Sequence, residues 1–351
     1  MKRRYFLSGA AALAGSLTWG RPAHAFLLQK LLLTAEHGAS SAGNLFSWGY
    51  NSVGQLGLGD IVNRSSPVQV GTSRNWAQIS CSEEHVLAIT SDGKLYSWGE
   101  NQWGQLGHGN SGGGTNLSSP VQVGALTNWA TCAAGYGHSL AITTNGELFS
   151  WGYNRGGQLG QGNSGPGTYL SSPVQVGALT TWASIAAGSN FAAAISASGA
   201  LYTWGINTSG QLGLGDVINR SSPVQVGVSL WASIAAGAYH CLATATNGAL
   251  FSWGGKNAYG ELGNGASSGL IYYKSPIQIG ALTTWSNVSA GRYVSSALSA
   301  GGTLLTWGKN NKGQLGLGDV INRSSPVQVG ALTTWTKIDC HAASHMQGIH
   351  T

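Results

Sequence analysis

Length alone, at 351 residues, suggests two or three domains, while 55 glycines suit many short strands joined by tight bends. The formal charge of +6 sits mostly at the N-terminus: removing residues 1–25 takes away four of the 17 basic groups and no acid, leaving 13 basic against 11 acidic groups. That remainder is spread along the chain with no Lys/Arg cluster, which argues against a phosphate-tracking, nucleic-acid-binding surface.

In chain order, Arg3-Arg4-Tyr5-Phe6-Leu7, a mildly apolar stretch from Gly9 to Trp19, and Ala23-His24-Ala25 together read as a twin-arginine export signal with an A-x-A cleavage site over residues 1–25. An ordinary secretory peptide is the alternative, and Arg21 beside the cleavage site fits the first reading better. The apolar run is too short and too glycine-broken for stable membrane insertion. The expected location is therefore periplasmic or secreted, in a bacterium. Residues 26–44 form an extension in which Phe26, Leu27, Leu28, Leu31, Leu32 and Leu33 surround Gln29 and Lys30. A short amphipathic helix or strand lying on the body is expected there, with an adhesive tail as the other reading.

From residue 45 to 351 the chain repeats itself. Trp-Gly pairs fall at Trp48, Trp98, Trp151, Trp204, Trp253 and Trp307, at steps of 50, 53, 53, 49 and 54 residues, and a second Trp follows at Trp76, Trp129, Trp182, Trp231, Trp285 and Trp335. A fixed period near fifty overrides the length prior and predicts one body in which no repeat buries its core alone. Each repeat supplies four strand-like runs. The first is Leu95-Tyr96-Ser97-Trp98, the second Pro120-Val121-Gln122-Val123, the third begins at the second Trp, and the fourth is His138-Ser139-Leu140-Ala141-Ile142-Thr143. Thr144-Asn145-Gly146 then turns into the next Trp-Gly strand.

Four strands repeated radially predict an all-β propeller of four-stranded blades, six blades by count. The chain stops where a further Trp-Gly strand is due and starts with Leu45-Phe46-Ser47-Trp48 unpaired, so strands from both termini are expected to close the ring and abolish its open edges. His345 stands one residue out of register at that seam.

The motif WGxNxxGQLGxG, the later SSPVQV and the GxxHSLAIT segment, recurring over residues 45–351, resemble the repeats of the regulator of chromosome condensation (RCC1) superfamily. The resemblance implies a β-propeller, usually of seven blades, so seven remains the alternative to six. Eukaryotic members are guanine nucleotide exchange factors for a small GTPase and bind chromatin. The export signal and near-neutral mature charge fit that role poorly. A closer analogy is a secreted member that covers and inhibits β-lactamase with one face.

Strand polarity brings three variable segments to one face. The residues between Asn and Gly of the NxxG loop include the anomalies Trp103 and Tyr259. The loop before the fourth run reads Glu83-Glu84, Tyr136-Gly137, Ser189-Asn190, Ala238-Tyr239, Arg292-Tyr293 and Ala342-Ala343. The loop leading to the strand proline spans 8 residues in copies one, four and six and 11 in the others, where Tyr169, Tyr272 and Tyr273 appear. Exposed aromatics and Arg on loops held by a rigid scaffold predict a partner-binding surface made of Trp103, Tyr136, Tyr239, Tyr259, Arg292, Tyr293, Tyr169, Tyr272, Tyr273, Glu83 and Glu84. The bland alternative is that the tyrosines cap the channel mouth or shield the core.

Other residues read as structural. Cys81, Cys132, Cys241 and Cys340 replace small core residues, and only Cys81 and Cys340 become neighbours on ring closure, so only they are candidates for a disulfide. His85, His138 and His240 share a slot filled elsewhere by Phe191 and Val294 and are expected to be packed, satisfied imidazoles. His341, His345 and His350 lack partners at metal spacing apart from Asp339 and Cys340. Asp60/Arg64, Asp216/Arg220 and Asp319/Arg323 brace loops. No nucleophile elbow, phosphate loop or catalytic triad pattern is present, and no cofactor is implied. The expectation is a non-enzymatic monomer that binds another protein. A glycan- or cell-wall-binding lectin-like module and an enzyme with a concealed site are the rival classes.

Overall fold

In a computed structural model, the residues described are 28–31, 43–72, 75–255, 257–267, 269, 272–340 and 347–350. The signal expected over residues 1–25, most of the extension 26–44, the Ala342-Ala343 loop, and His341 and His345 lie outside them.

The body is an all-β propeller of six blades. Its repeating sheet is seen in Trp76–Cys81, His85–Thr90, Leu95–Gly99 and Leu117–Gln122, four antiparallel strands paired in that order. The same order recurs from Trp129–Ala134 to Leu170–Gln175, from Trp182–Ala187 onward, and from Trp285–Ala290 to Arg323–Gln328. The Trp-led strands of successive blades contact one another, so they lie innermost. The second strand is buried along its whole length, and the SSPVQ strand alternates between half-buried and exposed, as an outer edge does.

One strand, Arg220–Ala236, runs unbroken from the outer edge of one blade to the inner position of the next. The cause is in the sequence. Gly227 to Trp231 is one residue shorter than the Gly-Ala-Leu-Thr-Thr-Trp turn of its neighbours, so the chain crosses without the usual turn.

Blades are stitched by the Trp of the Trp-Gly pair. Trp98, Trp151, Trp204, Trp253 and Trp307 are fully buried. Each donates its Nε1 proton to the carbonyl of Gln55, Gln105, Gln158, Gln211 or Glu261 in the preceding repeat, at 2.9–3.0 Å. Removing roughly 200 Å² of indole surface from water contributes on the order of 5 kcal/mol per Trp, at about 25 cal/mol/Å². In four repeats the second Trp packs edge-on against the aromatic of the following Trp-Gly strand: Trp76 on Tyr96, Trp129 on Phe149, Trp182 on Tyr202 and Trp231 on Phe251, at 5.2–5.3 Å between centroids.

The two ends of the chain come round in two sheets, Trp335–Asp339 with Gln347–His350 and Leu45–Gly49 with Arg64–Gln69, and no strand pairing joins them among the described residues, so the expected seam between the two termini is not made by pairing. Closure shows electrostatically instead, because the Asp339 carboxylate, after burial, helps push the Cys81 thiol pKa up. Two further details differ from the sequence expectation. The free side of Leu45–Gly49 is paired by Leu28–Leu31, which is the strand form of the extension. A strand this near in sequence closes a short loop, at lower entropic cost than joining two chain ends. The final strand is in register after all: Trp335 faces His350 as Trp76 faces Thr90, and Asp339 faces Gln347 as Ser80 faces Leu87. One more residue separates Asp339 from Gln347 than separates Ser80 from Leu87.

All four cysteines are buried and none is in a disulfide, so Cys81 and Cys340 are not bridged. Cys340 Sγ lies 2.9 Å from Ser296 Oγ.

Candidate functional site

The loops of the variable face are fixed by their own side chains. Asn101 Oδ1 accepts from Leu106 N at 3.0 Å, and its Nδ2 donates to Asn110 Oδ1 and Thr115 Oγ1 at 2.9 Å each. Gln105 Oε1 accepts from Trp103 N at 2.8 Å. The same Asn bonding recurs at Asn51, Asn154, Asn207, Asn257 and Asn310. The backbone of each NxxG loop is thereby held rigid, and the two residues between Asn and Gly are left to vary. Gly104 closes one such loop at φ +80°, where a Cβ would come within 2.6 Å of Ser171 Cα, so the next blade packs directly on that backbone.

On this frame the expected residues gather into three groups. In the first, Trp103 lies against Tyr153 at 4.8 Å and Tyr169 at 6.1 Å between centroids, beside Gly137. In the second, Tyr293 is stacked with Tyr239 at 6.1 Å and meets Tyr259 edge-on at 5.1 Å. Lys309 Nζ sits 4.8 Å from the Tyr259 ring centre and 5.4 Å from that of Tyr293, and Arg292 Cζ sits 5.5 Å from Tyr293. In the third, Glu100 joins Glu83 and Glu84, its amide bonded to the Glu84 carbonyl at 2.8 Å.

Charge links the second and third groups through Tyr136. Burial, and then the neighbouring Glu84, pushes the Glu100 carboxyl up to about 7, against a stabilising bond from Gln105 Nε2 at 3.0 Å. The Tyr136 phenol is pushed up by burial and then by Glu84, Glu83 and Glu100, while Arg292 opposes. Burial works against the charge on Arg292, but Tyr293, Tyr239 and Glu83 outweigh it and its pKa is raised. One mouth therefore carries carboxylates on one side and an aromatic–cationic group on the other.

Tyr272 is exposed and Tyr273 half-buried at the start of Tyr273–Gln278, and among the described residues no ring contact joins them to either aromatic group. Three participants escaped the sequence reading: Glu100, Tyr153 and Lys309. All stand at the x of WGxN, a position that reads Tyr50, Glu100, Tyr153, Ile206 and Lys309 across five copies. Also unforeseen are exposed aliphatics on the braced loops. Asp60–Arg64 and Asp216–Arg220 pair at 2.5 Å, and Asp319 pairs with Arg323. The tips between them leave Ile61, Ile218 and Ile321 61–65% exposed.

The shared histidine slot is wholly buried, and burial pushes His85 down to about 3 and His138 and His240 down to about 4, so all three are neutral. His85 is satisfied: Ser139 Oγ donates to the Gln105 carbonyl at 2.8 Å, so His85 Nε2 is the donor to Ser139 Oγ at 3.0 Å and Nδ1 accepts from Ser82 Oγ at 2.8 Å. His240 Nε2 has Ser295 Oγ at 2.8 Å. The expectation of satisfied imidazoles fails in part at His240, whose buried Nδ1 has no partner, and further at His138, where the Phe191 backbone lies near the ring but neither nitrogen makes a hydrogen bond of good geometry; Ala192 stands where Ser139 and Ser295 serve the Nε2 of the other two. No three His, Cys, Asp or Glu residues are arranged to hold a metal ion among the described residues.

Comparison with known proteins finds the "Regulator of chromosome condensation (RCC1) repeat" six times, at residues 42–89, 92–142, 145–195, 198–244, 247–298 and 301–345. The ultraviolet-B receptor UVR8 of Arabidopsis thaliana is 36% identical over 79% of this chain and 63% of its own length. The human E3 ubiquitin-protein ligase HERC2 is 31% identical over 80% of this chain and 6% of its own. The chain thus spans less than two thirds of these curated relatives. Among solved structures, human WBSCR16 superposes with TM-score 0.76 at 26% identity, covering 87% of this chain and 81% of that one. Prp20p of Saccharomyces cerevisiae superposes with TM-score 0.75 at 24% identity over 88% and 78%, a likeness of fold.

Proposed function

The chain belongs to the RCC1 repeat family, and from that premise we propose that it is a non-catalytic, exported propeller that binds a partner protein through its variable loop face. The observation that carries this reading is the use to which the tyrosine rings are put. Tyr293 has Tyr239 stacked on it and Lys309 and Arg292 over it, and Tyr259 is covered by Lys309. A sugar needs a free aromatic face to stack on, whereas a protein partner uses the charges that those rings present. This favours protein over glycan. Rigid loops support it further, since preorganised side chains lose little entropy on docking.

Relatives of the same fold lend the class of ligand: yeast RCC1 (Prp20) is known bound to Kap60, and Prp20p has binding properties toward Gsp1p and histones. The twin-arginine pattern read in residues 1–25 supports export, and an inhibitor-like covering of an enzyme is one form such binding takes. Fold likeness alone does not choose the partner. The test is a crosslinking pull-down from the exported fraction with the wild-type chain and with Trp103, Tyr239, Tyr259 and Tyr293 all changed to Ala. Capture is expected to be lost with the melting midpoint nearly unchanged, and retained capture refutes the face assignment. A positive glycan array without any protein partner selects the lectin-like reading instead.

A further inference from the structure

We infer that Arg292 and Lys309, held over Tyr239, Tyr259 and Tyr293, form a subsite for a short carboxylate-bearing segment of the partner protein. This deepens the protein-binding reading above and rests on it. The ion pairs among the described residues are Asp60–Arg64, Lys94–Asp92, Asp216–Arg220 and Asp319–Arg323, and neither Lys309 nor Arg292 takes part in one. Glu83 reaches Arg292 only through its charge at longer range. Both cations are therefore held by ring faces, which restrain the long side chains while leaving N–H donors for an incoming acceptor. An ammonium and a guanidinium set on one aromatic group match a carboxylate, and charge-assisted bonds to such groups are the strong ones.

The far side of the mouth limits what the ligand is. Glu83, Glu84 and Glu100 face Tyr136, and their charge already reaches that phenol and, from Glu83, Arg292. A long polyanion laid across the mouth meets these carboxylates and is repelled. A short acidic stretch that stops at the tyrosines is not. Like charge on the rim thus selects against nucleic acid and extended acidic tails.

The probe is acetyl-tetraglutamate with a C-terminal fluorophore, followed by anisotropy with the full chain. Arg292→Met with Lys309→Met keeps the apolar stems and removes both charges; affinity is expected to fall about ten-fold or more. Arg292→Lys with Lys309→Arg is expected to retain binding, showing that the double Met variant fails through charge rather than folding. Lys94→Met, on the opposite end of the blade and already paired with Asp92, leaves binding unchanged. Glu83→Gln with Glu84→Gln tightens it. Equal affinity for the wild type and the double Met variant overturns the inference, as does absence of wild-type binding at about 1 mM peptide. If the four-alanine variant loses partner capture while tetraglutamate ignores Arg292 and Lys309, the protein-binding reading survives and this subsite does not. If the peptide depends on the pair while capture survives the four alanines, the broader reading is the one that fails.

Discussion

Ala192→Ser is expected to stabilise the protein, because it restores to His138 the partner that His85 and His240 already have. In the Ser139 arrangement the hydroxyl donates to the Gln105 carbonyl, which also accepts Trp151 Nε1 at 2.9 Å, and receives His85 Nε2. At the equivalent place the Gln158 carbonyl accepts Trp204 Nε1 at 2.9 Å, and Ala192 offers it no second donor. A serine at 192 therefore gains a ready acceptor and gives His138 Nε2 an oxygen to donate to. One net hydrogen bond is worth about 1 kcal/mol, and relief of a buried unsatisfied group about 1 kcal/mol more. For a body of this size about 1–2 kcal/mol raises the thermal midpoint by about 2–4 °C. Ser139→Ala, which orphans His85 Nε2, is expected to lower stability by a similar amount. Both are read by chemical denaturation and scanning calorimetry. A neutral or destabilising Ala192→Ser beside a destabilising Ser139→Ala would refute the pairing argument.

Other consequences follow from the same geometry. Glu100 has a folded pKa of about 7, above its ordinary value of 4.5, so the folded chain binds the extra proton and this group's contribution falls as pH rises through that interval. Glu100→Gln is expected to flatten the pH dependence of stability between about pH 4.5 and 7 in urea titrations, and an unchanged slope would contradict the raised Glu100 carboxyl. Gly104→Ala is expected to cost at least about 2 kcal/mol, since φ +80° and a Cβ 2.6 Å from Ser171 Cα leave no room; a loss below 0.5 kcal/mol, by about the size of a surface change, would mean that the loop yields. The four buried thiols are expected to react with a thiol reagent only after denaturation, and prompt labelling would place one at the surface.

The blade was legible because identical Trp-Gly strands at a fixed period leave one architecture, and the Gly and Asn positions state their own turn chemistry. What sequence reading missed depends on neighbours in the ring rather than in the chain. His138 cannot be told from His85 within one repeat; the difference lies in Ala192 against Ser139, one blade further on. Glu100, Tyr153 and Lys309 precede the Asn of the NxxG loop, and nothing within one repeat distinguishes that variable position from the two after Asn; only the coordinates bring it to the same face. The pairing of Leu28–Leu31 with Leu45–Gly49 had no repeat to predict it. The aromatic sites were readable one by one, yet their sorting into Trp103–Tyr153–Tyr169 and Tyr239–Tyr293–Tyr259 required coordinates.

Hydrogen exchange on the captured complex tests the recognition face most directly. Protection is expected to rise in the loops around residues 83–84, 101–104, 136–137, 257–260 and 291–293, with the turns at 124–128, 177–181 and 280–284 unchanged. Protection confined to those turns would place the partner on the opposite end of the propeller and contradict the account.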